Sequence, residues 1–183
     1  MRRSFLFVFF FCAAASMLPA APGDAFEKVP PPSADKAQII LYRVRKFGGA
    51  AVKYHIFDAT AALAEGKTKL FTLDGVQKIE MESAFKFAVD LGKYYSGDYV
   101  VLASAPGTCT FFASQAQDKV NNHSGFIMQT GVTDDVTQIP VVGGKRYFVR
   151  ADIGWGGRPH LSTPPEADAL KDLKKCSEIN PSR

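Results

Sequence analysis

Cysteine, histidine and tryptophan are scarce in this 183-residue chain, at three, three and one. The histidines, His55, His123 and His160, stand far apart, and none has a second ligand at His-x-His or Cys-x-x-Cys spacing. No local metal motif exists, and a metal site would have to be assembled wholly by the fold. There is no Gly-x-Ser-x-Gly turn. The adjacency of His123 and Ser124 does not replace it, because a base must reach its nucleophile in space while a third group orients it. Neither a catalytic nor a cofactor motif is therefore read, and no enzyme is expected. The neighbouring Asp134 and Asp135 would point to opposite faces of a strand and read as solvated loop, not as a cation site. Charge of one sign is lacking too: 22 Lys and Arg against 18 Asp and Glu leave a formal +4. That charge is spread along the chain and is too small to imply a nucleic-acid partner. With 46% hydrophobic and 22% charged residues, the composition excludes a disordered, collagen-like or multi-span membrane chain.

What the chain does have at its start is an apolar run, Phe5 to Ala15, preceded by Arg2 and Arg3 and followed by Ser16, Pro19, Ala20, Ala21 and Pro22. This is the three-part layout of a secretory signal peptide. Small residues at −3 and −1 admit a cut after Ala25, with Gly23 in the −3 place, or after Ala20 or Ala21; the first is preferred, giving a signal over residues 1–25. An uncleaved anchor is the alternative, but a spanning helix wants roughly 20 apolar residues, and Ser16 and Pro19 interrupt this run. Arg2 and Arg3 only partly echo the twin-arginine pattern, and the Phe-rich run suits the general secretory route. Cys12 lies inside that run behind Phe9, Phe10 and Phe11, so acylation there is not expected. The expected location is periplasmic or extracellular, with no transmembrane span in the mature chain.

Export leaves Cys109 and Cys176, an even pair in an oxidising compartment, and either a disulfide or two free thiols is open. A bridge would stabilise by about 4 kcal/mol in the chain-entropy account. Three consecutive prolines, Pro30 to Pro32, make residues 26–36 an extended, semi-rigid leader expected to stay outside the core.

From Ala37 the chain is written in short alternating segments, the pattern of half-buried strands. Ala37 to Val44 and Val52 to Ile56 read as a first hairpin, with Arg43, Arg45 and Lys46 as a basic stub that blunts an edge. Asp58 to Gly66, rich in alanine, holds a helical turn or two. Asp74 and Gly75 form a turn between two strands, and Phe85, Phe87 and Val89 alternate as a further strand. Ala105-Pro106-Gly107-Thr108 predicts a type II turn between Tyr99–Ser104 and Cys109–Ala113. Val136 to Val142 and Arg146 to Ile153 flank a loop that is best counted as Gly143, Gly144 and Lys145, which sets Val141 opposite Tyr147. Thr163, Pro164, Pro165 and Glu166 spell a capping box, with Ala169, Leu170 and Leu173 on the inner side of the helix that follows and lysines toward its end. The whole predicts one domain over 37–176, with a short tail at 177–183: an all-β immunoglobulin-like or transthyretin-like antiparallel sandwich with a short C-terminal helix. The segment Gly154 to Pro159 carries Trp155 and Arg158. Trp155 is expected to close an end of the sandwich; the alternative is a recognition corner formed by Trp155 with Arg158.

Four stretches together resemble the bacterial domain of unknown function 2846 family. They are Ala37-Gln38-Ile39-Ile40-Leu41-Tyr42-Arg43, Gly97-Asp98-Tyr99-Val100-Val101-Leu102 with Pro106-Gly107, Gly143-Gly144-Lys145-Arg146-Tyr147-Phe148-Val149-Arg150, and Gly156-Gly157-Arg158-Pro159-His160-Leu161. The resemblance runs from about Ala37 to Leu173. It implies an exported or lipid-anchored envelope protein with a sandwich fold and brings no catalytic residue. The chain lacks the acylation motif, and its stretch from Asp58 to Lys93 is longer than the pattern needs. Two functions are consistent with these readings. One is a non-catalytic envelope module presenting a sheet face or edge to another protein or to the cell wall. The other is a carrier or receptor for a small apolar ligand between the sheets.

Overall fold

The computed structural model describes residues 24–27, 29–45, 54–73, 75–114, 132–133, 136–154 and 159–179. The chain is an all-β sandwich with a short C-terminal helix. One sheet has five strands in the order β11-β10-β1-β6-β12: Pro159–Ser162, Arg146–Ile153, Ala37–Arg43, Asp98–Ser104 and Ser177–Glu178. The facing sheet has four, β5-β2-β7-β9: Val89–Tyr94, Tyr54–Asp58, Gly107–Ser114 and Val136–Val141. Neighbours run antiparallel except β1 with β10 and β12 with β6, which are parallel.

Every residue of β1 is buried, because both of its faces are covered. Ala37, Ile39 and Leu41 belong to the layer between the sheets, with Tyr54, Ile56, Tyr94, Phe111, Val149 and Ala151. Ile40 and Tyr42 belong to a second core on the outer face, under the C-terminal helix α4 (Glu166–Leu173).

Residues adjacent along the chain repeatedly change sheet, and this overturns three pairings. β1 and β2 do not form the expected first hairpin: β1 bonds to β10 and β6, β2 to β5 and β7. β6 and β7 also lie in opposite sheets, so the Pro106-Gly107 segment is a corner. Gly107 has the expected positive φ, but at 149° it is not the +80° of a type II turn. β9 and β10 are divided likewise, and Val141 pairs with Gly107, not with Tyr147. Alternation specifies which side of a strand meets the core, and two strands that face each other across a sandwich satisfy it as well as two that share hydrogen bonds.

The Gly143-Gly144 corner demands glycine for a different reason. A Cβ on Gly143 would stand 2.4 Å from the Ala34 carbonyl oxygen, and Gly144 has φ 73° while its N–H donates to the carbonyls of Ser33 (3.1 Å) and Lys36 (3.0 Å).

The long Asp58–Lys93 stretch builds a cover for the outer face of the four-stranded sheet. The helix α2 (Thr60–Ala64) is the Ala-rich turn read from sequence. The hairpin β3 (Leu70–Leu73) and β4 (Val76–Glu80) pairs Leu73 with Val76 around Gly75 at φ 76°; Asp74 lies outside the described residues. β4 also pairs with β8 (Val132–Thr133). Phe85 and Phe87, expected on a strand, lie instead on helix α3 (Met81–Phe87). From there Phe85 packs edge-on against Phe57 and Phe112, at 5.2 and 5.9 Å between ring centres. That contact decides the conformation, because only a helix turns one of the two rings inward and leaves Phe87 exposed.

Three terminal expectations are corrected as well. Helix α4 buries Ala169 and Leu173 as expected, but it starts with Pro165 at the N-cap and without a side-chain cap bond, so the Thr163–Glu166 capping box does not form. The tail contributes β12, whose neighbour Ile179 donates its N–H to the Tyr99 carbonyl. The leader is not an idle spacer: Phe26, in the short helix α1 (Asp24–Glu27), is buried in the core under α4.

Candidate functional site

At one end of the sandwich, β1 finishes in Arg43. In place of the exposed basic edge expected from sequence, Arg43 is buried. Its guanidinium lies 4.8 Å from the centre of the Tyr54 ring and donates to the Tyr94 carbonyl at 3.2 Å. Arg45 is exposed, its stem against Gly97, and Lys46 lies outside the described residues. Two acidic groups near this end are pushed up by burial: the Tyr94 phenol far above its usual range, and the Asp98 carboxyl despite its bond from the Tyr95 N–H and the Arg43 charge nearby.

On the outer face of the four-stranded sheet a bulge brings a carboxylate to a histidine. Gly92 has φ 98° and donates its N–H to Asp90 Oδ1 at 2.8 Å, and the β2–β5 register shifts between His55 and Phe57. The shift sets Asp90 beside His55, whose Nδ1–H donates to Asp90 Oδ2 at 2.9 Å. The carboxylate thereby fixes the tautomer, leaving Nε2 as the acceptor nitrogen. Nε2 is enclosed and has no partner among the described residues. Ser114 stands directly opposite His55 on β7, yet no bond joins it to Nε2. A base held by its orienting carboxylate is thus present, while the nucleophile-to-base contact of an acyl-transfer site is not made among the described residues. In the sequence His55 stands apart from any partner, and Gly92 is the one local sign of a bulge that re-aims Asp90. His160 is exposed on β11, opposite Asp152.

The two cysteines are free and buried, the second of the two arrangements that the sequence leaves open. Cys109 points into the layer between the sheets with its Sγ 3.1 Å from Ser104 Oγ. Cys176 lies in the other core, on the far side of the five-stranded sheet, with its Sγ 3.5 Å from the carbonyls of Arg43 and Asp172. A sheet layer separates them, and a disulfide needs Cα atoms within about 7 Å. Denatured but unreduced protein is expected to present both thiols to an aromatic disulfide reagent, and the folded protein neither. A bridged pair in that titration would contradict the fold.

Trp155 and Arg158, the candidate recognition corner, lie in the connection between β10 and β11, outside the described residues; His123, Asp134 and Asp135 are also outside the described residues.

Taken together, fold and sites define a two-sheet sandwich module whose outer faces carry added helices and strands. No family model matches the chain, and no curated protein matches it. Among solved structures it is similar to the T6SS lipoprotein TssJ1 from Pseudomonas aeruginosa, at 11% identity and a TM-score of 0.30, over 74% of this chain and 98% of that one. A superposition that loose carries no functional argument.

Proposed function

We propose that this chain is a non-catalytic module of the bacterial cell envelope, exported through residues 1–25 and acting by binding another protein or the cell wall, as the likeness to the domain of unknown function 2846 family implies. The observation that favours this reading over a carrier is the inter-sheet layer. Tyr54, Tyr94, Phe111, Ile39, Leu41 and Ile56 are fully buried there, so the protein's own side chains occupy the space that a carrier would reserve for a ligand. That packing, among the described residues, weighs against a small apolar cargo.

The test is made on protein from its native host. Mature chain starting at Phe26 is expected in the envelope fraction, and in-cell crosslinking is expected to capture a neighbour there. Recovery of a chain that retains residues 1–20 would replace the cleaved signal with an anchor, and chain confined to the cytoplasm would overturn export.

A further inference from the structure

The groove between α4 and the outer face of the five-stranded sheet already holds a peptide, the chain's own leader. Phe26 fills it, edge-on to Tyr99 at 5.8 Å and tilted against Phe148 at 6.4 Å between ring centres, in the same cluster as Ile40, Ala169 and Leu173. Four residues on, the proline run begins. A polyproline-type backbone makes no internal hydrogen bonds, so its carbonyls are free to accept from elsewhere. Two side chains of the sheet meet them. Gln38 Nε2 donates to the Pro30 carbonyl at 3.1 Å, and an Arg146 terminal N–H reaches the Pro30 carbonyl at 3.1 Å and the Val29 carbonyl at 3.4 Å. The two donors hold each other in place, since Arg146 Nε–H donates to Gln38 Oε1 at 2.6 Å. The same guanidinium lies 5.3 Å from the centre of the Phe26 ring. The aromatic slot takes Phe26, and the fixed donors read the backbone carbonyls that follow it, while Pro30 and Pro31 stay exposed; a side-chain pocket beside donors for main-chain carbonyls is a general basis of peptide recognition.

The leader is attached twice. Residues 33–36 are pinned independently by the Gly143-Gly144 corner, so Pro31 and Pro32 lie between two anchorages. Such a connector is stiff, and a leader leaving its groove projects outward instead of collapsing back. Any second copy of the chain carries the matching segment and the matching groove.

We infer that this groove is a recognition site for a peptide with an aromatic residue followed three and four positions later by main-chain carbonyls free to accept, closed in this chain by Phe26, Val29 and Pro30 and filled between two copies when those leaders exchange. The inference rests on the chain being a binding module, but not on its export. The two fail separately, since peptide binding is measured on purified protein wherever that protein resides in the cell. Because the tethered leader competes at an effective concentration of order millimolar, exchange grows with protein concentration.

The experiment uses mature chain from residue 26 onward carrying Phe26→Ala and a fluorescent peptide of residues 26–33, read by anisotropy. Saturable binding is expected. It should weaken about ten-fold or more when the peptide carries Phe26→Ala, when Arg146→Ala is added to the chain, or when the wild-type chain, closed by its own leader, replaces the variant. If Phe26→Ala melts below the assay temperature, Phe26→Leu, a poorer plug, is expected to take the peptide with intermediate strength. A folded variant that takes no peptide, or equal binding by wild type and variant, overturns the site. Sedimentation of the unlabelled proteins tests exchange: a dimer should appear with concentration in wild type and be absent from Phe26→Ala. Equal dimerisation of the two, or a wild type that stays monomeric up to millimolar concentration, overturns exchange between copies.

Discussion

Replacing Phe112 by alanine is expected to lower the unfolding free energy by about 3–5 kcal/mol, the range for a fully buried aromatic ring. Phe112 is fully buried. It stacks on Phe57 with ring centres 4.8 Å apart and an angle of 11°, and both rings receive Phe85 edge-on. The three rings come from β7, β2 and α3, so the cluster is what fastens the α2-to-α3 cover to the sheet. Two of them stand on strands already paired to each other in register, Phe57 opposite Phe112. Little collapse into the vacated volume is then possible, which places the loss at the upper end of the range. Urea unfolding monitored by circular dichroism measures it, and a double-mutant cycle of Phe57→Leu with Phe112→Leu should return a coupling of about 0.5–1.5 kcal/mol. A loss below about 1.5 kcal/mol would mean that the cover is held by other contacts.

Raising the pH through the alkaline range is expected to destabilise the wild type more steeply than a Cys176→Ala variant. Burial, reinforced by the Asp172 carboxylate, pushes the Cys176 thiol up to about 12 from 9.0. The unfolded chain therefore ionises this thiol near pH 9, while the folded chain keeps it protonated. Its contribution to stability is complete below pH 9 and is lost as the pH climbs through 12. The full difference is at most about 4 kcal/mol. Tyr99, raised by burial, Glu178 and Cys176 to about 12 from 10.0, adds to the slope in both proteins, and only the part that Cys176 supplies differs between them. Denaturation series at pH 8 and pH 11 decide the matter: parallel losses in wild type and variant would show that Cys176 does not keep its proton in the folded state.

Much of the local structure could be read from the chain. The apolar side of α4 is where Ala169 and Leu173 put it, Gly75 turns the β3–β4 hairpin, and the Ala-rich stretch after Asp58 makes a helical turn. These depend on neighbours within a few residues, where periodicity and backbone preference act directly. Phe85 and Phe87 show the limit. A spacing of two residues suits a strand, and only the contact of Phe85 with two distant rings makes the segment helical.

By itself the sequence determined that the domain is a β-sandwich, roughly where most of its strands lie, and that a short helix comes near the end of the chain, because period-two alternation and helix periodicity are local properties of the polypeptide. Only the tertiary structure decided which strands share a sheet, that Arg43 is buried against Tyr54, that Asp90 meets His55, that Cys109 and Cys176 lie on opposite sides of one sheet, and that Phe26 returns to plug the groove under α4. Each of these joins residues far apart in the chain or depends on a bulge. Alternation leaves them open, since a strand satisfies its buried face equally well beside a partner and opposite one.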